Sequence, residues 1–252
     1  MQRFKKQVIY GGTFLLLIIF FLAWIYFSYL KPEASCFDKK KNQNEEGIDC
    51  GGVCGNFCFP VDFRPIELVR DPSFLRVDGK HVSLIAEIQN PNGHLATKNF
   101  SFEFRVFGES KTPLKIITGE SFLYSGEIKT IIAPNIEVDL SKIERVEFIP
   151  ATSLWTQDGN FPRPNFKLQN KKTSFLDRNI VTEGNIVSEE SQVFAEVEVI
   201  AVFKNPARVK VGVSRTVITN FKPDETRNFS IIHPLIDNVD LGATEILIYS
   251  KR

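Results

Sequence analysis

Residues 193–203 read VFAEVEVIAVF, the longest alternation in the chain. Successive side chains of a strand point to opposite faces, so Val193, Ala195, Val197, Val199, Ala201 and Phe203 share one face and Glu196 and Glu198 the other. Asn205-Pro206-Ala207-Arg208 supplies a turn, and Val209, Val211 and Val213 form the return. Ile180–Val187 predicts a strand before this hairpin. Phe221–Arg227 connects to Phe229 and Ile231 after it, and Glu245–Tyr249 is the last strand. Short strands separated by turns at this spacing predict an antiparallel sandwich.

The same pattern recurs upstream. Val82, Leu84, Ala86 and Ile88 alternate with Ser83, Ile85, Glu87 and Gln89, and Asn90-Pro91-Asn92-Gly93 ends the run in a turn. Phe100, Phe102, Phe104 and Val106 alternate with Ser101, Glu103 and Arg105. Gly119–Tyr124 and Glu127–Ala133 flank a Ser125-Gly126 turn, and Arg145–Ile149 closes a second predicted sandwich. The stretch from Trp155 to Lys172 is polar and proline-punctuated, a linker or an opening edge strand.

Val8 to Leu30 carries no charge. At a rise of about 1.5 Å per residue it reaches roughly 35 Å, enough to cross a hydrocarbon core of about 30 Å. It is longer than the apolar region of a cleaved signal peptide, and Glu33 with Lys31-Pro32 spoils the lipoprotein pattern before Ala34-Ser35-Cys36. Arg3, Lys5 and Lys6 precede it against a single Lys31 beyond, so the N-terminus is expected in the cytoplasm and the rest outside the cell membrane. The predicted organisation is mainly β. Residues 1–7 form a basic cytoplasmic tail, 8–30 a transmembrane helix and 31–60 a cysteine-rich collar. Residues 61–150 and 151–252 form two tandem immunoglobulin-like antiparallel β-sandwiches.

All four cysteines, Cys36, Cys50, Cys54 and Cys58, lie in the collar with spacing C-x13-C-x3-C-x3-C. Paired C-x2-C zinc spacings are absent, and an exported segment favours two disulfides, among three pairings that the spacing leaves open. Asp38, Asn42, Glu45 and Asp49 put oxygen ligands at short intervals ahead of Gly51-Gly52, a pattern suited to calcium. Lys39, Lys40 and Lys41 interrupt any match to an EF-hand loop. A solvated acidic loop stapled by disulfides is the plainer reading.

The net charge of +1 offers no electrostatic case for nucleic acid. His81, His94 and His233 are solitary, His233-Pro234 reads as a surface turn, and no nucleophile elbow, phosphate loop or dinucleotide glycine run occurs. The chain is therefore expected not to be an enzyme.

Three segments resemble known families. Cys36, Asp38, Asn42, Glu45, Asp49, Cys50, Gly51, Gly52 and Cys54 stand at the positions of short C-x-D-x(3)-N-x(2)-E-x(3)-D-C-G-G-x-C modules in bacterial surface proteins. The stretch Ala86–Asn92, an apolar strand ending in Asn-Pro-Asn, resembles the late-embryogenesis-abundant type-2, or water-stress (WHy), domain. Glu183–Val187, Val197–Asn205 and Phe221–Phe229 resemble the FxLYD domain, with Val202-Phe203-Lys204 where members carry Leu-Tyr-Asp. These resemblances imply non-catalytic, membrane-held sandwiches, and because sandwiches with exposed edge strands bind by strand addition or loop contact, an envelope protein partner is expected. The function expected is an extracytoplasmic scaffold or interaction module. The alternatives are a wall- or carbohydrate-binding module with Trp155, Phe161 and Tyr124 as stacking platform, or a calcium-dependent adhesion stalk.

Overall fold

The computed structural model describes residues 2–30, 35–55, 58, 63–151 and 154–252. Lys31 and the rest of 31–34 lie outside the described residues, as does the side chain of Arg3. The chain divides into two compact units, 1–61 and 62–252.

The first unit begins with helix α1 (Gln2–Ile25), which closes in a π-helical segment, Tyr26–Leu30. The stretch Phe4–Ser28 is long and apolar enough to cross a membrane, as a retained anchor or as a signal sequence. Its large side chains, Phe14, Leu17, Phe20 and Phe21 among them, have no protein cover. The collar follows, folded around two disulfides.

Among the described residues of the second unit, every strand pairing is antiparallel, with short 3-10 turns at Leu140–Lys142 and Asp158–Asn160. β1 (Glu67–Leu68) and β2 (Ser73–Arg76) line one edge of β3 (His81–Gln89), and β6 (Ile128–Glu137) lines its other edge. β4 (Leu95–Phe107) lies between β5 (Pro113–Leu123) and the pair β7 (Arg145–Pro150) and β8 (Trp155–Gln157). These two sheets enclose a core of Val82, Leu84, Ala86 and Ile88 against Phe100, Phe102, Phe104 and Phe148. The phenylalanines meet edge-on or offset, with Phe104 and Phe148 at 4.9 Å between ring centres.

The second sandwich pairs a β13–β10–β9 sheet with a β12–β11–β14 sheet. Their ranges are β9 Phe166–Leu176, β10 Asn179–Ser188, β11 Phe194–Lys204, β12 Lys210–Phe221, β13 Thr226–Pro234 and β14 Asp240–Ser250. Val197, Val199, Ala201 and Phe203 point into its core, as the alternation predicts. The start of β11 differs from expectation. Val193 and Ala195 are exposed and Phe194 is buried instead, because the aromatic ring removes more apolar area from water than either aliphatic side chain. The boundary between the sandwiches also differs. β8 pairs with Leu95–Thr97, so the first sandwich takes residues beyond 150.

A third apolar cluster joins the sandwiches. Leu75, Ile85 and Ile132, on the far side of the β1–β2–β3–β6 sheet, meet Ile200, Val202, Val213 and Tyr249 of the β12–β11–β14 sheet. Four sheets therefore stack in layers, and the two inner ones are covered on both faces. Ile85 and Ile132 are direct cross-strand partners, so one contiguous apolar surface is presented to the second sandwich.

Truncating this joint is predicted to destabilise the whole unit. Ile200→Ala is expected to cost about 2–5 kcal/mol, whereas Val217→Ala, on an exposed part of β12, is expected to stay within about 0.5 kcal/mol. Urea midpoints of the full-length protein in detergent micelles check the difference.

Candidate functional site

The collar cysteines pair as Cys36–Cys54 and Cys50–Cys58. The chain reverses through glycines that no other residue replaces easily: a Cβ on Gly52, whose φ is 55°, would lie 2.0 Å from the Asn44 carbonyl oxygen. The four residues expected to hold calcium are linked, but through hydrogen bonds of their own. The Asp38 carboxylate accepts from the Asn42 amide at 2.8 Å and from the Lys40 N–H at 2.9 Å, and the amide bond holds its pKa below the usual range. The Glu45 side chain is buried, and its Oε2 accepts the Asn42 N–H at 3.1 Å and the Asp49 N–H at 3.2 Å. Both oxygens of Asp49 take the Lys39 N–H, at 3.1 and 3.0 Å. These carboxylates thus cap backbone donors in tight turns, where Lys39, Gln43, Asn44 and Asp49 all have positive φ. Cys36, Glu45 and Cys54 bring their ligand-type atoms within 4.8 Å of one another, yet both sulfurs are spent in one disulfide and offer no thiolate.

The second concentration of polar chemistry lies at the joint. Tyr124 Oη donates to the Ser250 carbonyl at 2.8 Å, and Tyr249 Oη accepts the Thr130 N–H at 3.0 Å, so each sandwich reaches into the other's backbone. Between them, Lys129 is buried. Its Nζ donates to the Phe122 carbonyl at 3.1 Å and sits 3.2 Å from the centre of the Phe122 ring. Burial pushes this amine down to about 8, against the pull of Glu127 and Glu198. Glu127 is itself buried and accepts the Tyr124 N–H at 2.9 Å, with Arg163 at 3.7 Å from its other oxygen.

A cleft of about 320 Å³ opens beside Lys129, bordered by Glu196, Glu198, Arg215 and Tyr249. Two of its charges are paired, with Arg215 2.6 Å from Glu198. The two serine hydroxyls on its wall, Ser121 and Ser250, bond to backbone carbonyls. Among the described residues, no histidine lines the cleft.

The histidines lie apart. His81 bonds Asp78 at 2.9 Å across a turn. His233, expected at a surface turn, is instead buried against Phe203, with its Nδ1 2.7 Å from the Pro234 carbonyl; burial lowers its pKa. The reason is its place on the inward face of β13, where the sandwich core covers it. The proposed aromatic platform is also not a surface. Tyr124 and Phe161 are buried and stack on each other at 4.5 Å, and Trp155 is half-buried beside Phe63.

One motif read from the sequence has a clear local role. Asn90 is fully buried, and its amide donates to the carbonyls of Leu95 and Tyr124 at 2.6 and 2.8 Å while its oxygen accepts the Asn92 N–H. The Asn-Pro-Asn turn thereby pins β3 to β4 and to the joint. The joint itself had only a faint signal: Ile85, Ile200 and Val202 are apolar on strand faces that the alternation assigns to solvent.

No protein-family model and no curated protein sequence matches the chain. Among solved structures, red sea bream transglutaminase is similar at 10% identity with a TM-score of 0.26, over 75% of this chain and 31% of that one. The chain thus spans under a third of that protein, and a likeness of this size carries no argument. What fold and site define together is a mainly β protein with one apolar N-terminal helix, a doubly disulfide-bonded segment and antiparallel sandwiches.

Two measurements follow from these environments. Between about pH 8 and the ordinary lysine value of 10.5, the unfolded chain holds a proton at Lys129 that the folded chain lacks. Stability is therefore expected to rise with pH across that window and to lose this rise in Lys129→Met. Burial raises both Tyr124 and Tyr249, the latter to about 12, so stability is expected to fall again as pH climbs above 10. Urea midpoints across a pH series test both arms. In the collar, Glu45→Ala strips the acceptor from two N–H groups, a loss of about 1–3 kcal/mol. Reduction by dithiothreitol is expected to accelerate about tenfold or more, while exposed Glu46→Ala leaves it unchanged.

Proposed function

We propose that the protein is a non-catalytic scaffold of the cell envelope, held by one membrane span and presenting two fused β-sandwiches outside the membrane. The observation that carries this reading is the apolar joint of Ile85, Ile132, Ile200 and Val202, supported by the hydrogen bonds of Tyr124 and Tyr249. Such a joint suppresses relative domain motion, which hinged enzymes use to close a site but a spacer or docking platform has no need of. The uncovered helix Phe4–Ser28 supplies the anchor, with Lys5 and Lys6 holding the N-terminus in the cytoplasm. The disulfide collar suits an oxidising exterior. On this reading the two sandwiches are of the WHy-like and FxLYD-like kinds, and the partner is another envelope protein.

In-cell chemical cross-linking of the full-length protein, followed by membrane extraction and mass spectrometry, is expected to give one discrete heteromeric species. Recovery of monomer alone, or of wall polymer, overturns the scaffold. The protein is also expected to stay with membranes through an alkaline carbonate wash; release would make the helix a signal sequence.

A further inference from the structure

The first sandwich is open along one side. There, the β1–β2 edge of one sheet faces β7, the edge of the other, across a groove of about 600 Å³ lined by Leu68, Phe74, Val146 and Phe148. Among the described residues, no strand pairs with the outer edge of β7. The ladder to β4 identifies which backbone groups face outward. Ala151 donates to the Ser101 carbonyl, so the odd-numbered residues of β7 bond β4, and Val146 and Phe148 turn their N–H and C=O groups toward the groove. Pro150 falls on the outward side, where its missing N–H costs no ladder bond and ends the usable edge. The same parity holds across the groove: Val77 and Val69 bond β3, which leaves Phe74 and Leu68 facing outward.

The charge around this groove is unbalanced. Arg145 is engaged with Glu147 at 3.2 Å and lies 4.0 Å from the Phe107 ring. Asp71 and Glu144, both exposed on the groove wall, have no cationic partner among the described residues. We infer that this groove binds an extended segment of a partner polypeptide. The segment adds a short strand to β7, directs alternate aliphatic side chains between the sheets, and sets Lys or Arg beside Asp71 and Glu144. Unpaired ladder groups give such a strand its main-chain bonds, and the two acids give it polarity of choice. This inference rests on the scaffold reading and assigns it a docking surface.

The test uses full-length protein in detergent micelles and a short labelled peptide of alternating valine and threonine with lysine at each end. A second peptide carries glutamate at each end. Fluorescence anisotropy is expected to show the lysine peptide bound at least about tenfold more tightly, and the double variant Asp71→Lys, Glu144→Lys is expected to reverse that order. Both substituted positions are exposed, and an unchanged urea midpoint confirms that the variant is folded. Equal affinities, or no binding of either peptide, overturn the groove. The scaffold reading is separable: if the double variant still yields the same heteromeric cross-link in cells, the scaffold stands and the groove does not. If wild type yields no heteromer yet discriminates the peptides, the groove stands and the envelope partner falls.

Discussion

Two strands, β3 and β11, are buried on both faces, and the second unit depends on that constraint. Each sends one set of side chains into its own sandwich and another into the joint. Ile85 with Ile132 on one side meets Ile200, Val202 and Val213 on the other. Full burial of such a side chain contributes about 1.5–3 kcal/mol, so this small set of contacts is comparable to the net stability of an ordinary domain. Separating the sandwiches would expose that surface all at once. It would also break the hydroxyl contacts of Tyr124 and Tyr249. The joint is therefore a core in its own right, and the two sandwiches form one body with four layers.

Polar groups at the joint are consistent with this. A buried amine is costly unless protein groups solvate it, and Lys129 meets the difficulty in this way. It has a carbonyl and two aromatic faces around it, and a pKa drawn downward. Glu127, its neighbour in sequence, caps the Tyr124 N–H and steadies the turn that delivers Tyr124 to the second sandwich. Asn90 fastens the same turn from the other side. The polar residues here orient the strands, and none is paired as nucleophile and base.

The collar solves a different problem with different means. It has few apolar residues to bury, and several of them, Phe37, Ile48 and Val53, stay exposed. Small segments of this kind are held by covalent and local polar constraints in place of a core. Its acids serve as caps for turns of positive φ, and the disulfides Cys36–Cys54 and Cys50–Cys58 close the loop around buried Glu45. In this loop Asp38, Glu45 and Asp49 each hold a donor, while Asn42 Oδ1 is buried with none among the described residues.

Alternation along Val197–Phe203 and Val82–Ile88 was enough to establish strands, their inward faces and the sandwich class, because a period of two is a local property of the backbone. The uncharged run before Lys31 and the clustering of four cysteines were equally legible. What alternation does not encode is whether a strand's second face meets water or another sheet. Ile85, Ile200 and Val202 look like ordinary departures from pattern until a distant sheet covers them. The same limit explains the burial of His233 and Tyr124, the pairing of Trp155–Gln157 with β4 and the choice among three disulfide pairings. Each depends on residues far away in the chain being brought together, and only the tertiary structure supplies that proximity.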